Sequence, residues 1–229
     1  MLIESKQIPT NLSRTEVIVS AVVTYLPSIF PSPLPAEYTR RSIGLLAGLS
    51  IIGAGDALVV SAHLGGSPFG AVIINLSQRL GISIGSTVIG IGLVLVAIAS
   101  VVSGRRPGKV AIAAPFVCGT IENLVIPFAR SSRLNHWVLG GAGVTVMAIG
   151  IGVYLGAGLG RAAVETILTT ISDRTDLSVR TTMIMWNVGC LALALAIGGP
   201  LGPVTFCFPL VVPVIASQVM QRSPFLPAT

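Results

Sequence analysis

The chain has 229 residues, of which 52% are hydrophobic and only 10% are charged. Because soluble domains carry about 25% charged residues, this composition leaves too little polar surface to cover a globule in water. The mean hydropathy of +0.89 excludes a soluble globular domain and predicts an integral membrane protein. The formal charge of +6 falls mostly at the ends of apolar runs, which favours membrane orientation over nucleic-acid binding.

Residues 1–41 combine an apolar stretch with a proline-rich segment. The start is not markedly basic and the small-residue cleavage pattern of a signal peptide is poor. We therefore interpret this part as a retained interfacial segment followed by a stiff linker.

Six apolar runs are long enough to cross a bilayer, since about 20 helical residues match a hydrocarbon core of about 30 Å. They are residues 42–64, 84–103, 109–129, 136–159, 178–198 and 200–221. Two amphipathic stretches, 67–80 and 161–174, are only about 21 Å long as helices, too short to cross. We predict that they lie on the membrane surface or re-enter it.

The sequence repeats itself at a spacing of 95 positions. Ala62-His63-Leu64-Gly65 returns as Ala157-Gly158-Leu159-Gly160, and Ser83 returns as Ser178. Such a register is typical of an internal duplication. It divides the membrane part into a first repeat at 42–130 and a second at 136–222.

If the short helices do not cross, each repeat has three spans, and the odd number forces the second repeat to enter from the opposite side. The predicted fold is therefore an all-α membrane protein with about six transmembrane helices in two inverted three-span repeats. Each repeat carries one short amphipathic or re-entrant helix. In the alternative arrangement both short helices cross as well.

Basic residues favour the inverted arrangement by a small margin, because Lys and Arg concentrate in short cytoplasmic connections. With the first span starting inside, the basic residues on the cytoplasmic side are Arg40, Arg41, Arg105, Arg106, Lys109, Arg161, Arg174, Arg180 and Arg222. Those outside are Arg79, Arg130 and Arg133. The alternative moves more basic residues to the outside.

Three glycine-rich motifs carry a family resemblance. They read Gly53-Ala54-Gly55-Asp56-Ala57-Leu58, Ala62-His63-Leu64-Gly65-Gly66-Ser67-Pro68-Phe69, and Gly198-Gly199-Pro200-Leu201-Gly202-Pro203-Val204-Thr205. In their order and spacing over about residues 40–221, the chain resembles the uncharacterised bacterial membrane-protein family YczE, which is related to YitT-type proteins. The resemblance implies a multi-pass protein of the bacterial cytoplasmic membrane and implies no settled activity.

The chain departs from the family pattern in two places. It has Arg161-Ala162-Ala163 where the family usually has a Pro-Arg-Asp-like turn, and its next acid is Glu165. It also reads Met185-Trp186-Asn187 where the family tends to carry a glutamate. A site that uses those acids is therefore altered or absent here.

Two acidic residues within spans are the main candidates for function. A charged side chain in a span costs about 2.5–3.5 kcal/mol on insertion scales, so it is not retained lightly. Asp56 and Glu122 lie at similar predicted depth in the outer leaflet, and Asn123 is adjacent. We predict that they line a shared polar cavity that binds a small solute or an ion. Alternatively, each snorkels or caps a neighbouring helix.

The other candidates each have a simpler interpretation. His63 is placed to titrate or bind a ligand, although an interfacial histidine is favoured. Arg161 and Arg180 flank the second short helix as anion contacts or as positive-inside residues. Asn187 is expected to form a hydrogen bond to another helix that stabilises helix packing.

No catalytic motif, phosphate loop or metal-ligand spacing is recognisable in the sequence. We therefore predict no metal and no cofactor, and an enzyme is not favoured. The cysteines are interpreted as small buried side chains: Cys118, Cys190 and Cys207.

Two functions remain open. The first is a small transporter or permease for a small polar or cationic solute, because inverted repeats with short broken helices support alternating access. The second is an accessory or assembly protein that transports nothing. It would bind a membrane protein partner or a second copy through glycine-rich faces, with residues 1–38 as a docking arm. The lipid bilayer is an expected partner in both, and nucleic acid in neither.

Overall fold

The computed structural model describes residues 35–175 and 177–222, and this part of the chain is helical apart from short connections. The helices are α1 (Pro35–Ser61), α2 (Pro68–Leu80), α3 (Ile84–Ser103), α4 (Lys109–Ser131), α5 (His136–Ala157), α6 (Ala163–Thr175), α7 (Val179–Ile197) and α8 (Pro203–Gln221). All except α2 and α6 are long and apolar enough to cross a membrane. The predicted all-α class and six spans are thereby confirmed for these residues.

Short polar residues begin the helices and glycines end them. The side chain of Ser67 accepts a hydrogen bond from the Gly70 amide at the start of α2, and Ser83 accepts one from Ser86 at the start of α3. Four helices are followed by a glycine in the left-handed region, with φ from 64° to 74°: Gly81, Gly104, Gly158 and Gly198.

The first span differs from its prediction at both ends. Helix α1 begins at Pro35 rather than at 42, because Arg41 is buried on the helix and pairs with Glu37 one turn earlier at 2.7 Å. It ends at Ser61 rather than at 64, since His63 adopts a φ of 55° that a right-handed helix does not allow. The rest of the predicted interfacial segment, 1–34, lies outside the described residues.

Helices α1 and α5 form the centre of the bundle. Their closest approaches pair Gly48 with Tyr154, Gly55 with Met147, Gly143 with Val59, and Gly150 with Ile52. Positions rise along α1 as they fall along α5, so the two helices are antiparallel. Because these glycines lack side chains, the two backbones come into direct contact.

The remaining spans attach unevenly to this central pair. Helix α4 packs on α1, α8 packs on α5, and α3 packs on α4. Helix α7 is held instead by the short helices α2 and α6, with no extended contact to α8, and only 17% of its most apolar stretch is buried. Large apolar side chains therefore face outward, among them Val101, Phe128 and Leu210, which are 81%, 76% and 73% exposed. This surface suits lipid contact.

The two short helices lie at opposite ends of the bundle. On α2, the Asn75 side chain donates to the Gly198 carbonyl at 3.1 Å and Arg79 donates to the Ile197 carbonyl at 2.8 Å, so α2 caps the end of α7. Helix α6 packs instead near the end of α3, where Ala163 and Ile167 join Val96 and Ala99 in one buried cluster.

A matched pair of glycines on α5 tests the central contact. A Cβ at Gly143 would lie 2.7 Å from the Val59 amide nitrogen, whereas a Cβ at Gly141 meets nothing within 4 Å. We expect Gly143→Ala to lower stability by about 1–3 kcal/mol because the backbones must separate. Gly141→Ala should not lower it, since alanine favours a helix. Melting temperatures in one detergent measure the difference, and equal values would contradict the close contact.

Candidate functional site

Asp56 on α1 and Glu122 on α4 come together where the two helices pack. The approach is close because Gly53 lies directly against the Cys118 carbonyl and the side chain of Ile121. Glu122 is only 2% exposed, and its Oε2 has no hydrogen-bond partner among residues 35–175 and 177–222. The span thus buries a carboxyl oxygen that the protein itself leaves unsatisfied, which is costly unless a proton or cation compensates it.

A cavity of about 560 Å³ opens above this carboxyl pair, and we call it the His63 cavity. Its walls come from the end of α1, from α2, from the α2–α3 connection and from the last turns of α4. Its polar lining residues are His63, Ser77, Gln78, Ser83, Asn123 and Arg130.

An apolar layer separates the His63 cavity from the two carboxyl groups. Val60, Ile74 and Ile126 line the cavity and pack with Ala57 in one buried cluster. Val60 follows Asp56, and Ile126 follows Glu122, by one helical turn, about 6 Å. Neither acid lines the cavity itself, so the structure places the pair beneath its floor and not in its wall.

Asn123 has a role that the sequence did not indicate. Its Oδ1 accepts a hydrogen bond from the Gly85 amide at 3.1 Å, which satisfies one free N–H at the start of α3. The contact fastens α3 to α4 at the rim of the cavity. A solute in the cavity would therefore contact a side-chain amide whose Oδ1 already accepts one hydrogen bond.

His63 has a histidine neighbour that is distant in sequence. The His136 ring stands 6.3 Å from that of His63 in an edge-on arrangement, and its Nδ1 lies 3.0 Å from the Ala62 carbonyl oxygen. Among residues 35–175 and 177–222, no group of three or more His, Cys, Asp or Glu side chains is placed to hold a metal ion. The histidine pair therefore shapes the end of α1 and one side of the cavity.

Glu165, on the short helix α6, forms a second acidic cluster with Tyr154 of α5. The Tyr154 hydroxyl donates to Oε2 of Glu165 at 2.5 Å, and the Ala162 amide donates to the same oxygen at 2.8 Å. Glu165 thereby caps the start of its own helix. Burial raises the pKa of Glu165, while the bonds from Tyr154 and Ala162 and the charge of Arg161 lower it; burial is the largest effect.

Arg161 lies at a second cavity of about 300 Å³, which we call the arginine cavity. It lies between the end of α3, the start of α4 and helix α6. Its charged lining residues are Arg105, Arg106, Arg161, Asp173 and Arg174. The sequence marked Arg161 alone as a candidate, because residues from three separate segments converge only in the fold.

Two sequence-based expectations, for Asn187 and Cys207, do not hold, and Arg180 lies away from both cavities. Asn187 donates to the Met183 carbonyl of its own helix at 2.9 Å, so the predicted bond across helices is wrong. Arg180 is exposed at the start of α7 and lines neither cavity. Cys207 is exposed rather than buried, while Cys118 is partly buried, Cys190 is buried, and all three are free thiols.

Tyr154 was not singled out by the sequence, although one signal was present. A buried tyrosine hydroxyl normally requires a hydrogen-bond partner, and this residue stands near the end of an otherwise apolar span. The nearest acid along the chain is Glu165, which is the partner observed.

These features define a multi-pass membrane protein built only of helices in its described part, with acidic residues buried between spans. A model of a family of unknown function, DUF6198, matches residues 39–216, and the chain belongs to this family.

Two curated relatives are similar over most of their length. The uncharacterized membrane protein YczE of Bacillus subtilis is 29% identical over 170 residues, covering 72% of this chain and 79% of the relative. The uncharacterized protein YyaS of the same organism is 23% identical over 171 residues, covering 72% and 83%. The resemblance to YczE is thus confirmed, and no solved structure matches the chain.

The raised pKa of Glu165 predicts a pH dependence of stability. The folded chain holds this proton more tightly than the unfolded chain, so the contribution is complete below the usual value of 4.5 and is lost as the pH rises through the raised value. Because glutamine does not ionise, the melting temperature of Glu165→Gln should fall less between acidic and neutral pH than that of the wild type.

Melting temperatures from about pH 4 to about pH 8 measure this slope, since the range starts near the ordinary carboxyl value. Glu37→Gln is the control, because the side chain of Glu37 is 47% exposed and pairs with Arg41 on the same helix. An unchanged slope in Glu165→Gln would show that folding does not raise the pKa of this carboxyl group.

Proposed function

We propose that the protein is a small secondary transporter of the bacterial cytoplasmic membrane that binds a proton or a small cation at the Asp56–Glu122 pair. The observation that carries the proposal is the unsatisfied Oε2 of Glu122, in a side chain that is only 2% exposed. Two adjacent carboxylates in a dry interior repel each other, and a proton or cation between them removes that repulsion. Intramembrane acids of this kind typically mark ion or solute pathways.

The His63 cavity supplies a route from one side. Its floor is a single apolar layer of Val60, Ile74 and Ile126, so the pair is closed off in this conformation by about one helical turn. A shift of α2, which contributes Ile74, would open the floor. A solute that enters must reach the carboxyl groups of Asp56 and Glu122. We therefore expect it to be small and either polar or cationic.

Inverted repeats are part of the proposal, and the contacts at the centre support them. With a register of 95, Gly48 matches Gly143 and Val59 matches Tyr154. If each residue is replaced by its match in the other half, the contact of Gly48 with Tyr154 is converted into the contact of Gly143 with Val59, which is also observed. A two-fold axis in the membrane plane produces such a pair, in which the helices are antiparallel and matching residues make matching contacts.

The outer contacts agree with the same exchange. Helix α1 packs on α4 as α5 packs on α8, and α2 contacts α7 as α6 contacts α3. The short helices then belong to opposite membrane faces. Helix α2 bonds to the end of α7, and helix α6 is buried against α3. Both contacts support placement of the short helices at the membrane surface or as re-entrant helices, and not as spans.

Two matched cysteine positions test the inversion. Gln78 on α2 and Asp173 on α6 are 95 positions apart and both are exposed. We expect a membrane-impermeant maleimide to label Gln78→Cys from outside intact cells and to label Asp173→Cys only after permeabilisation. A background in which the three native cysteines are replaced by alanine serves as the control. Labelling of both positions from one side would refute the inverted arrangement.

Transport is tested by replacing Glu122 in purified protein reconstituted into liposomes with an internal pH-sensitive dye. We expect an imposed gradient of sodium, potassium, ammonium or a small amine to change the internal pH through the wild type. Glu122→Gln should abolish this change, because the amide keeps the shape of the carboxyl group without its charge. Asp56→Asn should lower it.

Stability measurements separate this role from a structural one. Glu122→Gln should melt within a few degrees of the wild type if the acid serves binding, whereas the loss of a structural partner would cost about 3–5 kcal/mol. Glu37→Gln, at the exposed start of α1, is expected to transport normally. If no cation changes the internal pH beyond that of protein-free liposomes, proton coupling at this pair is wrong.

A non-transporting accessory role is the second candidate, and the environment of α7 favours it. This span has no full-length neighbour among the described helices and exposes Ile184, Met185 and Val188. A partner span or a second copy would bury that face. The predicted docking arm, residues 1–38, lies mostly outside the described residues.

A further inference from the structure

The arginine cavity concentrates positive charge in a confined space. Arg105 and Arg106 come from the connection between α3 and α4, Arg161 precedes α6, and Arg174 stands in its last turn. Asp173 is the one acid among the lining residues. Glu165 lies close enough to Arg161 to influence it electrostatically, but its carboxyl is already bonded to Tyr154 and Ala162. The cavity therefore keeps an excess of positive charge.

The fold itself does not require these charges. At a spacing of 95, Arg105 matches Pro200, Arg106 matches Leu201 and Arg161 matches Gly66. Arg174 alone has a basic match, Arg79, which donates to the Ile197 carbonyl and caps α7. Of the four matching positions, only Arg79 is an arginine, and its side chain is used for helix capping.

The cavity also occupies a place that is filled in the matching half. On α2, Asn75 and Arg79 reach the end of α7 and bond to its last carbonyls. Their matches on α6 are Thr170 and Arg174, and Thr170 donates to the Thr166 carbonyl of its own helix instead. The space against the end of α3 remains open, with Arg174 at its edge.

Guanidinium groups supply the positive charge of the lining, with Arg105, Arg106 and Arg174 joining Arg161 around the cavity. The lining hydroxyls of Ser100, Thr166 and Thr170 donate to carbonyls of their own helices or of the residue just before them. Arginine presents a planar fork of N–H donors that matches the oxygens of a phosphate group. The volume of about 300 Å³ is at the lower end of the range of ligand pockets, about 300–1,000 Å³.

We propose that the arginine cavity binds a phosphate group, carried either by a soluble phosphate compound or by the headgroup of an anionic lipid. The positive-inside tendency accounts for the membrane side on which these arginines lie. It does not account for their convergence from three segments on one cavity. This site is separate from the Asp56–Glu122 pair and does not depend on the proposed transport.

The test measures melting temperature in a zwitterionic detergent during titration with inorganic phosphate, against chloride at equal ionic strength. The wild type should gain stability with phosphate. The double variant Arg105→Gln, Arg161→Gln should need at least about tenfold more phosphate for the same gain, because bonds to charged groups are lost. Arg222→Gln removes a charge from the same end of the bundle without touching the cavity, and it should respond as the wild type does.

A second arm uses nanodiscs of phosphatidylcholine with or without phosphatidylglycerol to identify the source of the phosphate. Stabilisation by phosphatidylglycerol alone, lost in the double variant and kept in Arg222→Gln, would assign the cavity to a lipid headgroup. A response to inorganic phosphate in detergent would assign it to a soluble compound. If neither probe stabilises the wild type, or if Arg222→Gln loses the response equally, the charges serve only orientation and the proposal is wrong. Glu122→Gln should bind phosphate normally, which separates this result from the transport assay.

Discussion

The structure depends on the direct backbone contact between α1 and α5. No hydrophobic effect drives two helices together in lipid, so their association requires close van der Waals packing, which side chains at Gly48, Gly55, Gly143 or Gly150 would prevent. The same contact positions both acidic clusters. Helix α1 brings Asp56 to Glu122 of α4, and Tyr154, whose backbone lies against Gly48, holds Glu165. Separating the two helices would therefore disturb both clusters at once.

Glycine also explains why the two halves differ. Helices α3 and α4 touch where Gly85 meets Gly119 and where Gly92 meets Pro115. At a spacing of 95 the corresponding residues are Arg180, Val214, Asn187 and Leu210, whose side chains occupy the space that the glycines leave free. Within the described part of the chain, α7 and α8 make no extended contact, in agreement with these larger side chains. Helix α7 is held by the two short helices, including the ring contact of Phe69 with Trp186, and not by a full-length neighbour among the described helices. A span with few buried contacts is expected to move at the lowest cost.

The sequence predicted the parts of the fold that depend on local chemistry. Hydropathy and length located the six spans, because these properties belong to short segments of the chain. Asp56 and Glu122 do lie side by side, but neither lines the His63 cavity, so the predicted shared cavity wall is not what the structure has. The meeting of His63 with His136, and of Arg105 with Arg161, could not be predicted, since it depends on which helices are neighbours. Asn187 was misjudged because a helix offers such a side chain a carbonyl of its own, one turn earlier.

The two acidic clusters show why burial alone does not identify a working site. The Oε2 atom of Glu165 accepts hydrogen bonds from a hydroxyl and a backbone amide, and the residue caps its own helix, so the fold itself accounts for this acid. Glu122 is buried as well, yet its Oε2 receives no donor from the described residues, and its neighbour Asp56 is itself an acid. An acid that only stabilised the bundle would be expected to have the first set of contacts. For this reason we propose the binding role for Glu122 and not for Glu165.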